Sequence, residues 1–248
     1  MTHDTQPDED KPLSDIFVGR IPPFLLYEME HHSLFHLVES HKTDRLFEKP
    51  NPATEASLIS LLAHFEAFCQ HQFAAIINIY PELLLAFSSR RGQAPIKLSD
   101  VISLYGEFER NIGFVIAEQY DFGSAELING LFRDLLGVTP FSKDEGKQYD
   151  VILQKRHLLV HHAGIYTLNY LKENSISAEI KSKAFQDSVR IDTEDYHVMG
   201  DFLFDMNMKI ARVTTAALKS QLEAGPGFTG NQTKAIEQLL SGLYDNLE

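Results

Sequence analysis

The chain has 248 residues, 44% of them hydrophobic and 23% charged. That is the balance of a globular protein with a sizeable core rather than a disordered one. The formal net charge of −13 argues against a broad DNA-coating surface, which needs a basic excess, and leaves room for a small, locally positive nucleic-acid site. The single cysteine, Cys69, excludes an internal disulfide and a cysteine-based zinc site.

Residues 1–12 are acidic and polar, the opposite of a signal peptide, and read as a disordered leader. No apolar run approaches the roughly 18 residues that span a membrane, so a cytoplasmic protein is expected. Residues 13–50 read as an apolar, His-rich helical extension. In it Pro22-Pro23 opens a helix to about His41, since Pro suits the first turn. Lys49-Pro50-Asn51-Pro52 breaks the chain before a main domain over 51–224. From Ala53 to Tyr80 apolar residues recur at three- and four-residue steps, predicting a helix that Pro81 ends.

Ser88–Pro95, with Arg90, Arg91 and Gly92, reads as a loop. Ser99 is expected to cap a helix to about Gln119, and Ser124 a shorter one stopped by Gly137. Ser142 and Glu145 form a capping box for a helix to about His162, with Gly164 at its end. Thr167 is expected to cap a short helix, and 173–191 reads as a hairpin or loop. Asp192 or Thr193 opens a long helix in which Tyr196, Met199, Leu203, Met206, Ile210, Val213 and Ala217 repeat almost as heptads. Gly225-Pro226-Gly227 forms a hinge before a last helix, about 231–246, within a C-terminal segment 225–248. The fold class is all-α.

The chemistry concentrates in Gln154-Lys155-Arg156-His157-Leu158-Leu159-Val160-His161-His162-Ala163-Gly164. On a helical wheel Tyr149, Ile152, Leu153, Leu159 and Val160 gather on one side, with Arg156 in the middle of that stripe. A guanidinium there needs a partner, because an unpaired buried charge is costly. Glu66 is one such carboxylate. Asp150, Gln154, His157 and His161 form a polar ridge at steps of four, three and four, with Val151 and Leu158 on its far flank.

Arg156-x4-His161, followed by Gly164, resembles the Arg-x4–6-His motif of the HEPN superfamily. The wider family string, Arg-Asn-x-x-Val-His-x-x-Gly-x-Val-Asp-x-x-Tyr, is similar to Arg156, His157, Val160, His161, Gly164, Ile165, Thr167 and Tyr170 here. The chain departs from it by His for Asn at 157 and Thr for Asp at 167. Phe65-Glu66-Ala67-Phe68 and Val189-Arg190-Ile191-Asp192 also resemble stretches of HEPN proteins, and the likeness covers about residues 54–222.

The resemblance implies a HEPN-like helical bundle that dimerises, with N- and C-terminal helical extensions. In catalytic members the two motif helices meet in one composite cleft that cleaves RNA without metal or cofactor. Many are toxins or host-defence effectors with a cognate antitoxin or defence partner. By this likeness His161 is the general acid/base, Arg156 stabilises the phosphate, and His157 takes the place of the family's Asn. Glu66 and Asp150 support these residues from behind, and Lys155 and His162 contact RNA. The chemistry suits the residue types. RNA carries its own nucleophile, so protons must be moved near neutral pH, a task for histidine, and charge must be braced, a task for a planar guanidinium. Some members are silenced by modification of a Tyr two residues past the motif His. Ala163 stands there, with Tyr166 the nearest Tyr.

Two other readings remain open in the sequence. One is a non-catalytic HEPN scaffold, which would bury Arg156 and the His residues where a ribonuclease would expose them in a cleft. The other is a di-iron four-helix protein, from Glu28-x-x-His31 and Glu194-x-x-His197, a spacing that 11 His among many Glu also give by chance. His31, His32, His36 and His41 read as a solvated or interface face, with His32 and His36 brought together by helical spacing. His64 and His71 read as polar edges of a core helix.

Overall fold

The apolar run after Pro52 is realised as one long central helix around which the others are laid. The computed structural model describes residues 13–41, 52–92, 96–173, 187–224 and 229–242. Two short 3-10 turns, Leu13–Ile16 and Val18–Arg20, lead into α1, Pro23–Ser40. The central helix α2 spans Pro52–Ile79; it buries one side along its length, including Leu58, Leu62, Phe65, Phe68, Cys69, Phe73 and Ile76, and over 72–77 it is buried all round. Then follow α3 (Leu83–Arg91), α4 (Leu98–Ser103), α5 (Phe108–Ala117) and α6 (Ala125–Leu136). After these come α7 (Lys143–His162), α8 (Leu168–Glu173), α9 (Thr193–Glu223) and α10 (Gly230–Gln238). Among the described residues the sole extended pairing is an isolated antiparallel bridge between Ile165 and Ser188. The class is all-α. No helix of the described residues is long and apolar enough to cross a membrane.

α2 packs against α1, α5 and α9, while α6 packs on α3 and α9. One cluster of buried residues joins Phe24, Tyr27 and Val38 of α1 to Phe65 and Phe73 of α2, Phe132 of α6, Tyr149 of α7 and Leu203 and Ile210 of α9. The N-terminal helix is therefore part of the same core as the segment after Pro52. Asn78 ties three elements at one point: its side-chain amide donates to the Ile16 carbonyl at 3.1 Å and accepts from the Gly113 N–H at 2.7 Å.

The caps follow the residue types. Ser124 accepts from the Leu127 N–H, and Gly137 ends α6 in the left-handed region at φ 80°. Ser142 and Glu145 form the expected capping box. Asp192 caps α9 through the Asp195 N–H, and the Tyr170 N–H donates to Thr167 Oγ1 at the start of α8.

Three expectations need correction. Ser88–Arg91 is helical as the end of α3. Gly92 ends that helix, and Arg90 and Arg91 reach across to Asp134 at the C-terminal end of α6, with Arg91 Nη1 2.7 Å from its carboxylate. The run from Ser99 to Gln119 is two helices, broken around Gly106 at φ 85°, and Ser99 lies inside α4 with Lys97 at its N-cap. On α7, Leu158 is buried and Val160 is 47% exposed, the reverse of their wheel assignment. Tyr149 and Ile152 face the core, whereas Leu158, about 180° round the helix from Tyr149, is buried on another flank close to the end of α7. The leader, the Pro-rich break at 49–51, most of 173–191, the hinge at 225–227 and the end of the last expected helix lie outside the described residues.

Candidate functional site

α7 carries the motif residues and its ends are held differently. At its start, Lys209 of α9 donates to both carboxylate oxygens of Glu145, at 2.8 and 2.7 Å. Burial would raise the Glu145 carboxyl, but hydrogen bonds from Lys209 and Ser142 outweigh it and hold it down to about 2. At its other end Ala163 and Gly164 are both left-handed, at φ 50° and 80°. The Gly164 N–H returns to the Leu158 carbonyl at 2.9 Å, and the Gly164 carbonyl accepts from the Val189 N–H at 2.8 Å. A Cβ on Gly164 would press on the Val189 carbonyl at 3.3 Å, so both φ and the close approach call for glycine there.

Arg156 turns inward. Its Nη1 lies 3.5 Å from Glu66 Oε1, the carboxylate that α2 offers between the buried rings of Phe65 and Phe68. Arg156 Nε is buried without a hydrogen-bond partner. Burial raises the Glu66 carboxyl above its usual value; the Arg156 guanidinium opposes this and Asp121 adds to it. Beside them Tyr149 is fully buried against Phe65 and Phe141, its hydroxyl unpartnered. The contact is weak as a hydrogen bond at this length. It is still the charge partner that the apolar placement of Arg156 demanded.

His157, His161 and His162 turn outward. All three are exposed, with ring centroids of His157 and His161 4.8 Å apart and those of His157 and His162 5.3 Å apart. Five residues advance a helix by about 140° around its axis. Arg156 and His161 therefore leave α7 on nearly opposite sides within one chain. Asp150 is exposed two turns before His157, with no hydrogen bond or ion pair joining them, and Lys155 is half-buried. The three imidazoles are brought together; Arg156 and Glu66 form a second group behind them.

The arrangement offers three exposed imidazoles, a residue type suited to proton transfer, backed by a guanidinium. Tyr149, one heptad before Arg156 on the same stripe, belongs to the Arg156–Glu66 group, and so does Asp121, which no spacing in the sequence connects to it. Asp121 comes from the loop before α6, and only packing brings its charge near Glu66. Tyr166 and Tyr170 stack just past the turn, with ring centroids 5.2 Å apart.

The two Glu-x-x-His pairs do not converge. His31 faces Phe204, with centroids 5.1 Å apart, whereas His197 Nε2 lies 3.1 Å from Glu39 Oε1. Among the described residues no group of three or more His, Cys, Asp or Glu could hold a metal ion. A cavity of about 540 Å³ opens beside Asp192, Glu194, His197 and Asp201, away from the motif residues. A second, about 360 Å³, is lined by Phe17, His71, Asn111 and Phe114. His64 lies 3.6 Å from Glu30, and burial lowers the His71 imidazole, as suits polar edges of a core helix.

No protein-family model, curated protein or solved structure matches the chain.

Proposed function

We propose that the protein is a metal-independent endoribonuclease of the HEPN type, acting in the cytoplasm as a homodimer. The observation that carries this reading is the exposed imidazole group of His157, His161 and His162 at the end of the same helix that holds Arg156. Arg156 and His161 leave one helix on opposite sides. A second copy of α7 across a twofold axis would bring a second set of these imidazoles into one cleft, with Arg156 of each chain behind them.

In such a cleft one His161 takes the proton of a ribose 2′-OH. The 2′ oxygen attacks the adjacent phosphorus and the bond to the 5′ oxygen breaks. The partner's His161 gives a proton to that leaving oxygen. A 2′,3′-cyclic phosphate and a free 5′-OH result. Arg156 spreads the extra negative charge of the phosphorane over two parallel hydrogen bonds. His157 and Lys155 hold the phosphate, Glu66 aims Arg156 from behind, and Asp150 and His162 line the approach. Nothing in this chemistry needs a metal, and DNA is spared because it lacks the 2′-OH. A toxin or defence role follows, with an antitoxin or defence partner to restrain it.

A labelled single-stranded RNA with one deoxy position, incubated with and without EDTA, tests the reading. Cleavage everywhere except at the deoxy position, unaffected by EDTA and abolished by His161→Ala, is expected. Cutting at the deoxy position, or inhibition by EDTA that Mg²⁺ restores, would sink it. Arg156→Lys should be nearly as damaging as Arg156→Ala, since the planar fork is lost while the charge stays.

One observation favours a second reading, a non-catalytic scaffold of the same fold. Arg156 already faces a carboxylate of its own chain, at 3.5 Å from Glu66. On that reading the RNA assay shows no cutting by any variant.

A further inference from the structure

α1 presents a second pair of histidines that the motif helix does not use. His32 and His36 lie one turn apart on its exposed side, and their Nε2 atoms face each other at 2.9 Å. Their rings are nearly perpendicular, with centroids 4.3 Å apart and an interplanar angle of 87°. The neighbouring histidines do not compete for this point. His31 turns to Phe204, and His41 Nδ1 lies 2.9 Å from the Leu37 carbonyl. The helix beneath is well anchored: Tyr27 and Val38, on either side of the pair in sequence, are buried at 1% and 0% exposure.

We propose that His32 and His36 form a two-imidazole chelate for a divalent transition cation of tetragonal preference, Cu²⁺ first and Ni²⁺ second. The argument is the bite. A metal with imidazole nitrogens at about 2.0–2.1 Å holds two of them about 2.9 Å apart at adjacent corners of a square, and about 3.3 Å apart on a tetrahedron. The observed separation is the square's edge. Zn²⁺ would require the rings to spread. Order of affinity for such ligands also puts Cu²⁺ ahead of Ni²⁺ and Zn²⁺.

Coordination asks little of the protein. In the hydrogen-bonded pair one Nε2 donates to the other; moving that proton to Nδ1 and turning the rings so that both lone pairs converge frees the two Nε2 atoms without net proton release. Water fills the remaining corners. Because the two rings already meet on an anchored helix, little rearrangement is needed on binding.

The test is a Cu²⁺ titration of the full chain, followed by visible absorption and electron paramagnetic resonance. All proteins carry His3→Ala, which removes a competing imidazole near the amino end. One tight copper per chain with two equatorial imidazole nitrogens is expected. His32→Gln and His36→Gln should each weaken it at least tenfold, with circular dichroism confirming unchanged helix. His157→Gln/His161→Gln should leave the tight site in place. A parent that binds no copper, a His32→Gln/His36→Gln double variant that binds as tightly as the parent, or a tight site that disappears with His157 and His161 instead would each overturn the proposal.

Discussion

Arg156 and Glu66 stand 90 positions apart in sequence and 3.5 Å apart in the fold, and their energetics are unequal. Burial raises the Glu66 carboxyl more than the Arg156 guanidinium lowers it. A raised carboxyl favours the protonated form in the folded state. Its contribution to stability is therefore fully present below the unfolded value and is lost as pH rises through the folded value. The charged form at neutral pH is kept at some expense, which fits a group whose task is to aim a guanidinium. Glu66→Gln copies the neutral shape. It is expected to leave stability near neutral pH unchanged or slightly higher, and to remove the loss of stability above the usual carboxylate range. Urea-denaturation midpoints across about pH 4 to pH 8 measure this. A fall of more than about 1 kcal/mol at neutral pH would mean that the ion pair outweighs burial.

At the scale of elements, glycine decides where helices come close. Gly113 of α5 sits against α2 so tightly that a Cβ there would overlap the Ala74 carbonyl oxygen, and its N–H donates to Asn78 at 2.7 Å. Gly113→Ala is expected to destabilise by about 1–3 kcal/mol, although alanine is the better helix former by about 1 kcal/mol. Gly146 of α7 is the contrast. A Cβ there meets the Ala125 methyl at an ordinary 3.5 Å, so Gly146→Ala should be neutral or stabilising by up to about 1 kcal/mol. Thermal unfolding of the two variants side by side reads the difference, and equal shifts would contradict the packing account. The start of α7 adds an acid-sensitive anchor. With its carboxyl depressed to about 2, Glu145 contributes stability above the usual carboxylate value that is lost as pH falls through about 2.

For the whole molecule, the proposed cleft requires two copies. Val151, Val160, Ile165 and Leu168 flank the exposed imidazoles at 44%, 47%, 53% and 56% exposure. Apolar side chains grouped this way around a site are the usual material of an interface. Two chains of net charge −13 repel each other, so the apolar contact must carry the association and added salt should strengthen it. Light scattering at micromolar concentration is expected to give a dimer, and Val160→Glu with Leu168→Glu a folded monomer with weakened RNA cleavage. A monomeric parent at that concentration would remove the composite site.

The sequence by itself determined the class and most helix ends. Hydrophobic period marked α2 and α9, whose partners surround them, and local chemistry marked Ser124, the Ser142–Glu145 box, Gly137, Thr167 and Asp192, because capping acts within one turn. The need of Arg156 for a carboxylate was legible too, since charge in an apolar stripe admits few solutions. Tertiary structure decided the rest. It split 99–119 at Gly106 and made Ser88–Arg91 helical by docking both arginines onto the end of α6. It buried Leu158 instead of Val160, because a helical wheel knows nothing of neighbours. It also brought Asp121 toward Glu66, set the imidazoles on the side of α7 away from Arg156, and closed His32 and His36 to 2.9 Å. Periodicity and capping are local in the chain, and these arrangements depend on which surfaces meet.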